Sequence, residues 1–351
     1  MSEVVTSFDP QYNNYLLGHK DIEDLFLRCW KDNSLHNSWI ISGVKGVGKA
    51  TFAYKVARFI LSADENKKNQ YTSLDVLPDS QVFRLVAGSS HPDLKVLQRD
   101  YTDTDRKKIL KAIKDGDGLS PEELKELKKS AYIRVDDVRT INEFLSRKSS
   151  GDGWRVVIID SIDDMNSAAA NAVLKILEEP PHKVLMLLIS HNPNRLLPTI
   201  KSRCAKIEMR PLSINDVSSL LRRYRSDLSE KDIKRIAAIA SGSIGKALIY
   251  ADNNAADLYD ELCGLAASGI NYKISDVINF CNTATSSEER YVLAQELILK
   301  FLSEHAKNTS NVVEIAECWS NAIKTFSEIE SLNMDKKQAL MNIIVNLCKQ
   351  I

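Results

Sequence analysis

The sequence predicts an α/β fold with a parallel sheet in its first part and helices after it. Short apolar runs at residues 39–41, 156–159 and 184–189 have the composition of strands that are buried on both faces. Segments 52–61 and 168–179 have the periodicity of helices. Because strands that alternate with helices form parallel sheets covered on both sides, we expect this fold up to about residue 211.

After residue 211 only helical patterns remain. Residues 213–224 and 229–240 predict two short helices, and Ser241-Gly242-Ser243 precedes a third. Farther on, apolar residues recur on one helix face, namely Leu293, Leu297 and Phe301, with Ile298 and Leu302 beside them. The predicted domains are an α/β domain (1–211), a small helical domain (212–251) and an all-α domain (252–351).

Residues 64–130 predict a charged, solvated insertion, since basic and acidic side chains are interleaved there. Within it, Ser120 and Glu123 have the spacing of a capping box, which predicts a short helix after Ser120. Asp335 and Gln338 have the same spacing ahead of a helical pattern near the end of the chain.

Composition limits the class of protein. Of the 351 residues, 44% are hydrophobic and 27% charged, with 47 basic and 47 acidic side chains, which is typical of a soluble globular protein. A surface for nucleic acid is therefore expected only as a local patch. The first residues are polar and acidic and no run reaches the ~18 apolar residues of a membrane span, so we expect a cytoplasmic protein without membrane contact.

A glycine-rich segment between the first strand and the first helix matches a phosphate-binding loop. Gly43, Gly46, Gly48 and Lys49 fit the G-x-x-x-x-G-K pattern, in which backbone N–H groups surround phosphate oxygens and the lysine adds a full positive charge. A tight turn would explain the glycines but not a lysine at that offset. The pattern predicts a nucleotide-phosphate site.

The residue after this lysine departs from the pattern. A Ser or Thr hydroxyl normally holds magnesium there, and this chain has Ala50. Thr51 is a poor substitute because one step along a helix rotates a side chain by ~100°. We expect metal-assisted chemistry at this loop to be impaired.

A second motif is the apolar strand 156–159 followed by Asp160, which has the form of the magnesium-handling strand of phosphate-loop ATPases. Asp163 and Asp164 follow shortly after. Acidic residues are common ahead of a helix, so a structural interpretation of these two is favoured.

Several short motifs resemble the AAA+ clamp-loader family of bacterial DNA polymerase III, over roughly the first 250 residues. Besides the loop, they are Leu35-His36, His91-Pro92-Asp93, Leu174-Lys175-Ile176-Leu177-Glu178-Glu179-Pro180-Pro181 and Ser202-Arg203-Cys204. The resemblance implies an AAA+ phosphate-loop domain, a small helical lid domain and a C-terminal all-α collar domain that holds subunits together.

Two further positions depart from the active members of this family. Those members follow the strand aspartate with a glutamate that activates water, where this chain has Ser161, and they carry a phosphate-sensing arginine where it has Gly245. Together with Ala50, these changes are typical of a fold reused without its reaction. We therefore expect no intrinsic ATPase activity and no required cofactor, with unproductive ATP or ADP binding left open.

The resemblance gives Arg203 a role outside its own chain. In this family, the arginine of the Ser-Arg-Cys motif reaches across a subunit boundary to the ATP of an adjacent gamma/tau subunit. The implied partners are gamma/tau and delta subunits and, through the complex, the beta sliding clamp and primer-template DNA. A surface ion pair is the alternative interpretation of Arg203.

Many members carry a four-cysteine zinc module between the phosphate loop and the aspartate-bearing strand. The six cysteines here are widely spaced, form no C-x-x-C pair and are absent from that segment. We expect reduced, buried thiols, without disulfides or zinc.

Two other functions remain open. One is an active clamp-loader ATPase of the gamma/tau type, in which Thr51 and Asp163 compensate for the losses. The other, a phosphate-loop kinase of small metabolites, is disfavoured because such enzymes need the hydroxyl after Lys49 and lack a helical C-terminal third.

Overall fold

The apolar runs predicted as strands lie in one sheet of five parallel strands in the computed structural model of the protein. The strands are β1 Ser38–Gly43, β2 Leu94–Gln98, β3 Arg155–Asp160, β4 Val184–Ser190 and β5 Ala205–Met209. Their order across the sheet is β2-β3-β4-β1-β5, and every neighbouring pair is parallel. The predicted α/β fold is confirmed.

The structure describes residues 8–115, 119–120, 123, 127–147, 149, 153–307, 311–332 and 334–350. The described chain forms two compact units, one from residues up to 226 with 241–246 and the other from 227–240 with 247 onward. The domain boundaries at 211 and 251 stay a prediction.

Helices flank the sheet, and helices joined by short loops form most of the described chain after it. Those before residue 226 are α1 Lys20–Lys31, α2 Lys49–Ser62, α3 Gln81–Ala87, α4 Asp103–Asp115, α5 Val135–Ser146, α6 Ser167–Glu178, α7 Pro198–Lys201 and α8 Ile214–Tyr224. The later ones are α9 Glu230–Ile239, α10 Ile244–Asp252, α11 Ala255–Ser268, α12 Ile274–Ala284, α13 Glu288–His305, α14 Val312–Leu332 and α15 Lys336–Gln350. Among the described residues none of these helices is long and apolar enough to cross a membrane.

Successive residues of the central strands pack against helices on opposite faces of the sheet. Val157 and Leu188 belong to one buried cluster with Ile141 of α5 and Val173 of α6. Trp39 points the other way, with its ring 5.6 Å from that of Phe26 on α1. This alternation is the strand period of two, and it explains why the central strands are apolar throughout.

One predicted segment is corrected by the structure. The charged insertion over 64–130 is not a solvated excursion throughout, because 94–98 form β2, which pairs with β3. As an edge strand β2 is covered less than the central strands, and of its five residues only Leu97 is buried. Its sequence therefore lacks the continuous apolar run that predicted β1, β3 and β4.

The capping box at Ser120 is present, and at Asp335 one of the two hydrogen bonds of a capping box is present. The Ser120 N–H donates to Glu123 Oε2 at 2.8 Å and the Glu123 N–H donates to Ser120 Oγ at 3.2 Å, whereas the helix predicted after them extends outside the described residues. The Gln338 N–H donates to Asp335 Oδ1 at 2.7 Å where α15 begins.

The predicted apolar face of α13 is confirmed as part of a helical core. Leu293, Leu297, Ile298 and Leu302 are buried, while Phe301 is half-buried and stacks on His305. The six cysteines are all free thiols, four of them buried and two half-buried.

Candidate functional site

The phosphate-loop segment joins the end of β1 to the first turn of α2. Gly43, Gly46 and Gly48 all have positive φ, at 143°, 80° and 112°. A Cβ on Gly43 would lie 2.4 Å from the backbone oxygen of Met209, and one on Gly46 would lie 2.5 Å from Ser243 Oγ. Close packing therefore requires glycine at both positions.

Lys49 is turned into the loop. Its side chain is buried, and Nζ donates to the backbone oxygens of Gly43 and Val44 at 2.7 Å each. Burial lowers the pKa of Lys49 to about 8, and the charge of Asp160 opposes that shift. The ammonium that would meet a phosphate is thus hydrogen-bonded by the backbone of its own loop.

The structure brings Asp160 close enough to act on Lys49. Asp160 ends β3, and burial raises the pKa of its carboxyl group while the charge of Lys49 opposes the rise. Ala50 is half-buried and Thr51 is buried on the next position of α2. The helix therefore offers no hydroxyl at the position where a phosphate loop normally holds magnesium.

The two residues Ser161 and Asp163, which follow Asp160, differ in their contacts. Ser161 is buried, and its Oγ has no hydrogen-bond partner within the described chain. Asp163 accepts hydrogen bonds from Ser190 Oγ at 2.9 Å and from the backbone N–H groups of His191 and Asn192. Asp163 therefore holds the chain at the end of β4, which agrees with the structural interpretation of this residue.

A segment that the sequence did not single out as a contact packs directly on the loop. The Gly245 N–H donates to the Gly46 oxygen at 2.9 Å, and Ser243 Oγ donates to the Lys45 oxygen at 2.7 Å. A Cβ on Gly245 would lie 2.8 Å from Gly46 Cα. Gly245, where the clamp-loader resemblance implies an arginine in active members, is thus in backbone contact with the loop. The adjacent Ser-Gly-Ser pattern indicated only a turn.

Arg203 lies just before β5 and is about one-third exposed. Its Nη2 forms an ion pair with Glu178 Oε1 at 2.8 Å, and its Nη1 donates to the Thr199 oxygen at 3.0 Å. The neighbouring Cys204 is buried, which raises the pKa of its thiol to about 12.

Three motifs that are distant in sequence converge at Arg203. A recess of about 570 Å³ is lined by Leu35, His36, Asn37, Ser38, Leu177, Glu178, Pro180 and Arg203. His36 precedes β1, Glu178 precedes β4 and Arg203 precedes β5. They therefore share the edge of the sheet where the parallel strands begin.

The phosphate loop lies at the other edge of the sheet. Ala205 pairs with Trp39 and Met209 pairs with Gly43, so β1 and β5 run side by side in the same direction. Four residue steps of strand span roughly 13 Å. The structure thus brings Gly43, Lys49 and Asp160 together, and it places Arg203 at the opposite edge from them.

No group of three or more His, Cys, Asp and Glu side chains is placed to hold a metal ion in the part of the chain that the structure describes. The expected absence of zinc stays a prediction.

Comparison with known proteins shows the family. The model of the family described as "DNA polymerase III, delta subunit" matches residues 18–213, which is more than half of the chain. The chain belongs to this family. This match confirms the resemblance to clamp-loader subunits of DNA polymerase III. Membership of the family also argues against a kinase of small metabolites.

The chain is similar to delta' subunits and to gamma subunits of DNA polymerase III. The chain is 32% identical to the delta' subunit of Pseudomonas aeruginosa over 48% of this chain and 42% of that protein. It is 26% identical to delta' of Escherichia coli K12 over 67% and 60%. It is 25% identical to the gamma subunit of Buchnera aphidicola subsp. Schizaphis graminum over 75% and 62%. The matched part is less than two-thirds of each relative, and these relatives include both delta' and gamma subunits.

The contact between Gly245 and Gly46 yields the first prediction. Gly245→Ala should lower the free energy of unfolding by about 1–3 kcal/mol, because the added methyl group would lie 2.8 Å from the backbone at Gly46 and force a shift there. Gly264→Ala is the matched control, since nothing lies within 4 Å of a Cβ there. Alanine in a helix should then stabilise by about 0.5–1 kcal/mol. Urea denaturation of both full-length variants is the measurement, and equal effects would contradict the contact.

Proposed function

We propose that this chain is the delta-prime subunit of the DNA polymerase III clamp-loader complex. In this role it lacks ATPase activity of its own and helps to load the beta sliding clamp onto primer-template DNA. It supplies Arg203 to the ATP site of a neighbouring gamma/tau subunit. The observation that carries the proposal is the position of Arg203 at the sheet edge opposite to its own phosphate loop.

The geometry favours an action of Arg203 on another molecule. Its hydrogen bonds go to Glu178 and to the Thr199 oxygen at the same sheet edge, not toward Lys49. About a third of the side chain stays exposed. A guanidinium is permanently charged and offers a planar set of donors that suits phosphate oxygens. Supplied from a neighbouring subunit, such a group stabilises the charge of a phosphoryl-transfer transition state.

The chain's own loop supports the loss of hydrolysis. Ala50 cannot hold magnesium and Ser161 cannot act as a general base at neutral pH. Gly245 has no side chain to sense phosphate, and Lys49 is hydrogen-bonded by loop backbone. We infer that no cofactor is required and that any ATP or ADP bound here is unproductive.

An active gamma/tau-like ATPase is the second candidate. It is favoured by one observation, the longer match to a gamma subunit, which extends over 75% of the chain. In that case Thr51 would hold magnesium in place of Ala50. The first of the three predictions below distinguishes the two candidates.

The helices after residue 252 offer a surface for partner subunits. On α14 the exposed residues Val312, Ala316, Trp319 and Ile323 follow one another at spacings of three or four, which is a second apolar stripe. It lies beside the buried stripe that contains Ile315 and Ala322. We propose that this stripe contacts gamma/tau or delta subunits as part of a collar.

The isolated chain should not hydrolyse ATP. Magnesium anchoring, water activation and phosphate sensing are all removed, so we expect turnover far below the ordinary ATPase rate of about 1 per second. Phosphate release would be measured with and without magnesium, with a gamma-type relative as the positive control. Ordinary magnesium-dependent turnover would favour the gamma/tau-like candidate.

Arg203→Ala should leave folding and assembly intact but reduce ATP hydrolysis by the assembled complex. A partly exposed ion pair contributes about 1 kcal/mol or less to stability, whereas an arginine supplied in trans can accelerate the site it serves by about 10³-fold or more. The measurement is the ATPase rate stimulated by clamp and DNA, beside an assembly assay. Arg203→Lys should rescue poorly because it lacks the planar set of donors.

The matched control for Arg203 is Arg139→Ala, which removes an arginine that forms an exposed ion pair with Asp136 on α5. It should leave the stimulated rate unchanged. If the Arg203→Ala complex assembles and hydrolyses ATP at the normal rate, Arg203 forms only a surface ion pair, as Arg139 does, and has no role in trans.

Trp319→Ser should weaken assembly. Exposed tryptophans at interfaces often contribute about 2 kcal/mol or more, so the Kd for partner subunits should rise about tenfold or more. Ile270→Ser is the control, because Ile270 is an exposed apolar residue outside the stripe. Equal affinities of the two variants, measured by titration with gamma/tau and delta subunits, would exclude the stripe as the contact surface.

A further inference from the structure

Two carboxylates stand at the end of α6, where they are electrostatically unfavourable. Glu178 is the last residue of the helix and Glu179 follows it. The C-terminal end of a helix carries partial negative charge, which repels carboxylates and attracts cations. Helix stability therefore does not account for a glutamate at position 178, whereas the ion pair of that glutamate with Arg203 does.

The contacts of Arg203 restrain its orientation. Glu178 Oε1 binds Nη2 and the Thr199 oxygen binds Nη1, so acceptors from α6 and α7 hold both terminal nitrogens. A guanidinium has five N–H donors, and these two bonds leave the others for a further acceptor. A long side chain that is held in place before binding loses less rotamer freedom when the phosphate arrives.

Glu178 also carries a charge opposite to that of Arg203. It therefore has two opposing effects: it orients the guanidinium, and it reduces the attraction of Arg203 for a triphosphate. Both side chains are between a third and a half exposed. Water and salt screen such a pair, so the carboxylate removes little of the attraction between Arg203 and a triphosphate. The orientation is set by two short hydrogen bonds, to Glu178 and to the Thr199 oxygen, and screening weakens such contacts less than it weakens attraction over longer distances.

We infer that Glu178 is a positioning residue for Arg203: it fixes the guanidinium at the starting edge of the sheet with its remaining N–H groups available to the neighbouring ATP. This inference rests on the proposed function, since it assumes that Arg203 acts in trans. It adds a residue on a different element whose effect is exerted only through Arg203.

The test uses full-length chain reconstituted into the complete complex, with ATP as the probe. Glu178→Ala removes the acceptor. We expect the fall in the stimulated kcat to be more than about half of the fall that Arg203→Ala causes, while KM changes little. Glu178→Gln keeps the Oε1 acceptor without the charge and should retain most of the rate. Combining Glu178→Ala with Arg203→Ala should add nothing to the loss caused by Arg203→Ala alone.

The control is Glu179→Ala, which removes the same charge from the same helix end. Glu179 is exposed and is not the carboxylate that pairs with Arg203 in the described structure. It should leave kcat unchanged. An equal loss in this variant would show a general charge effect and overturn the inference.

The remaining outcomes separate the inference from the proposed function. A normal rate in Glu178→Ala beside a reduced rate in Arg203→Ala would overturn the inference and leave the proposed function standing. A faster rate in Glu178→Ala would show that Glu178 restrains Arg203 instead of positioning it. Normal rates in both variants would overturn the proposed function.

Discussion

The parallel pairing of β1 and β5 determines which groups of this protein can act together. Because both strands run in one direction, the loop after β1 and the arginine before β5 lie at opposite edges of the sheet. A phosphate loop and an arginine in one chain would suggest one active site, but the register excludes that arrangement. The protein instead has the glycine-rich loop with Lys49 and Asp160 at one edge and the partly exposed Arg203 at the other.

The glycine-rich loop is held by close backbone packing. Ser243 and Gly245 hydrogen-bond to the loop at Lys45 and Gly46, and the absence of a side chain at Gly245 allows the two segments to meet. Lys49 is satisfied by loop oxygens in the same way. Lys49 and the backbone of Gly46 therefore both make contacts within the protein itself.

Arg203 illustrates that the two interpretations of a residue need not exclude each other. The surface ion pair is present, with Glu178, and it leaves a third of the arginine exposed. An arginine that must meet a phosphate on another subunit gains from being held in place beforehand, since the cost of ordering a flexible side chain is then met during folding. The ion pair is thus compatible with a role in trans.

The sequence alone predicted the buried strands β1, β3 and β4, the helices α2 and α6 and the phosphate-loop pattern, because each depends on local periodicity or on fixed spacing. It did not reveal β2 and β5, which each pair with one neighbouring strand only, nor the pairing of Glu178 with Arg203 across 25 residues. The contact of Gly245 with Gly46 could not be predicted either. A glycine in a sequence can indicate that a side chain would not fit there, but it does not indicate which neighbouring atoms would be in the way. Only the tertiary structure decided these features, because strand register and packing bring together residues that have no relation along the chain.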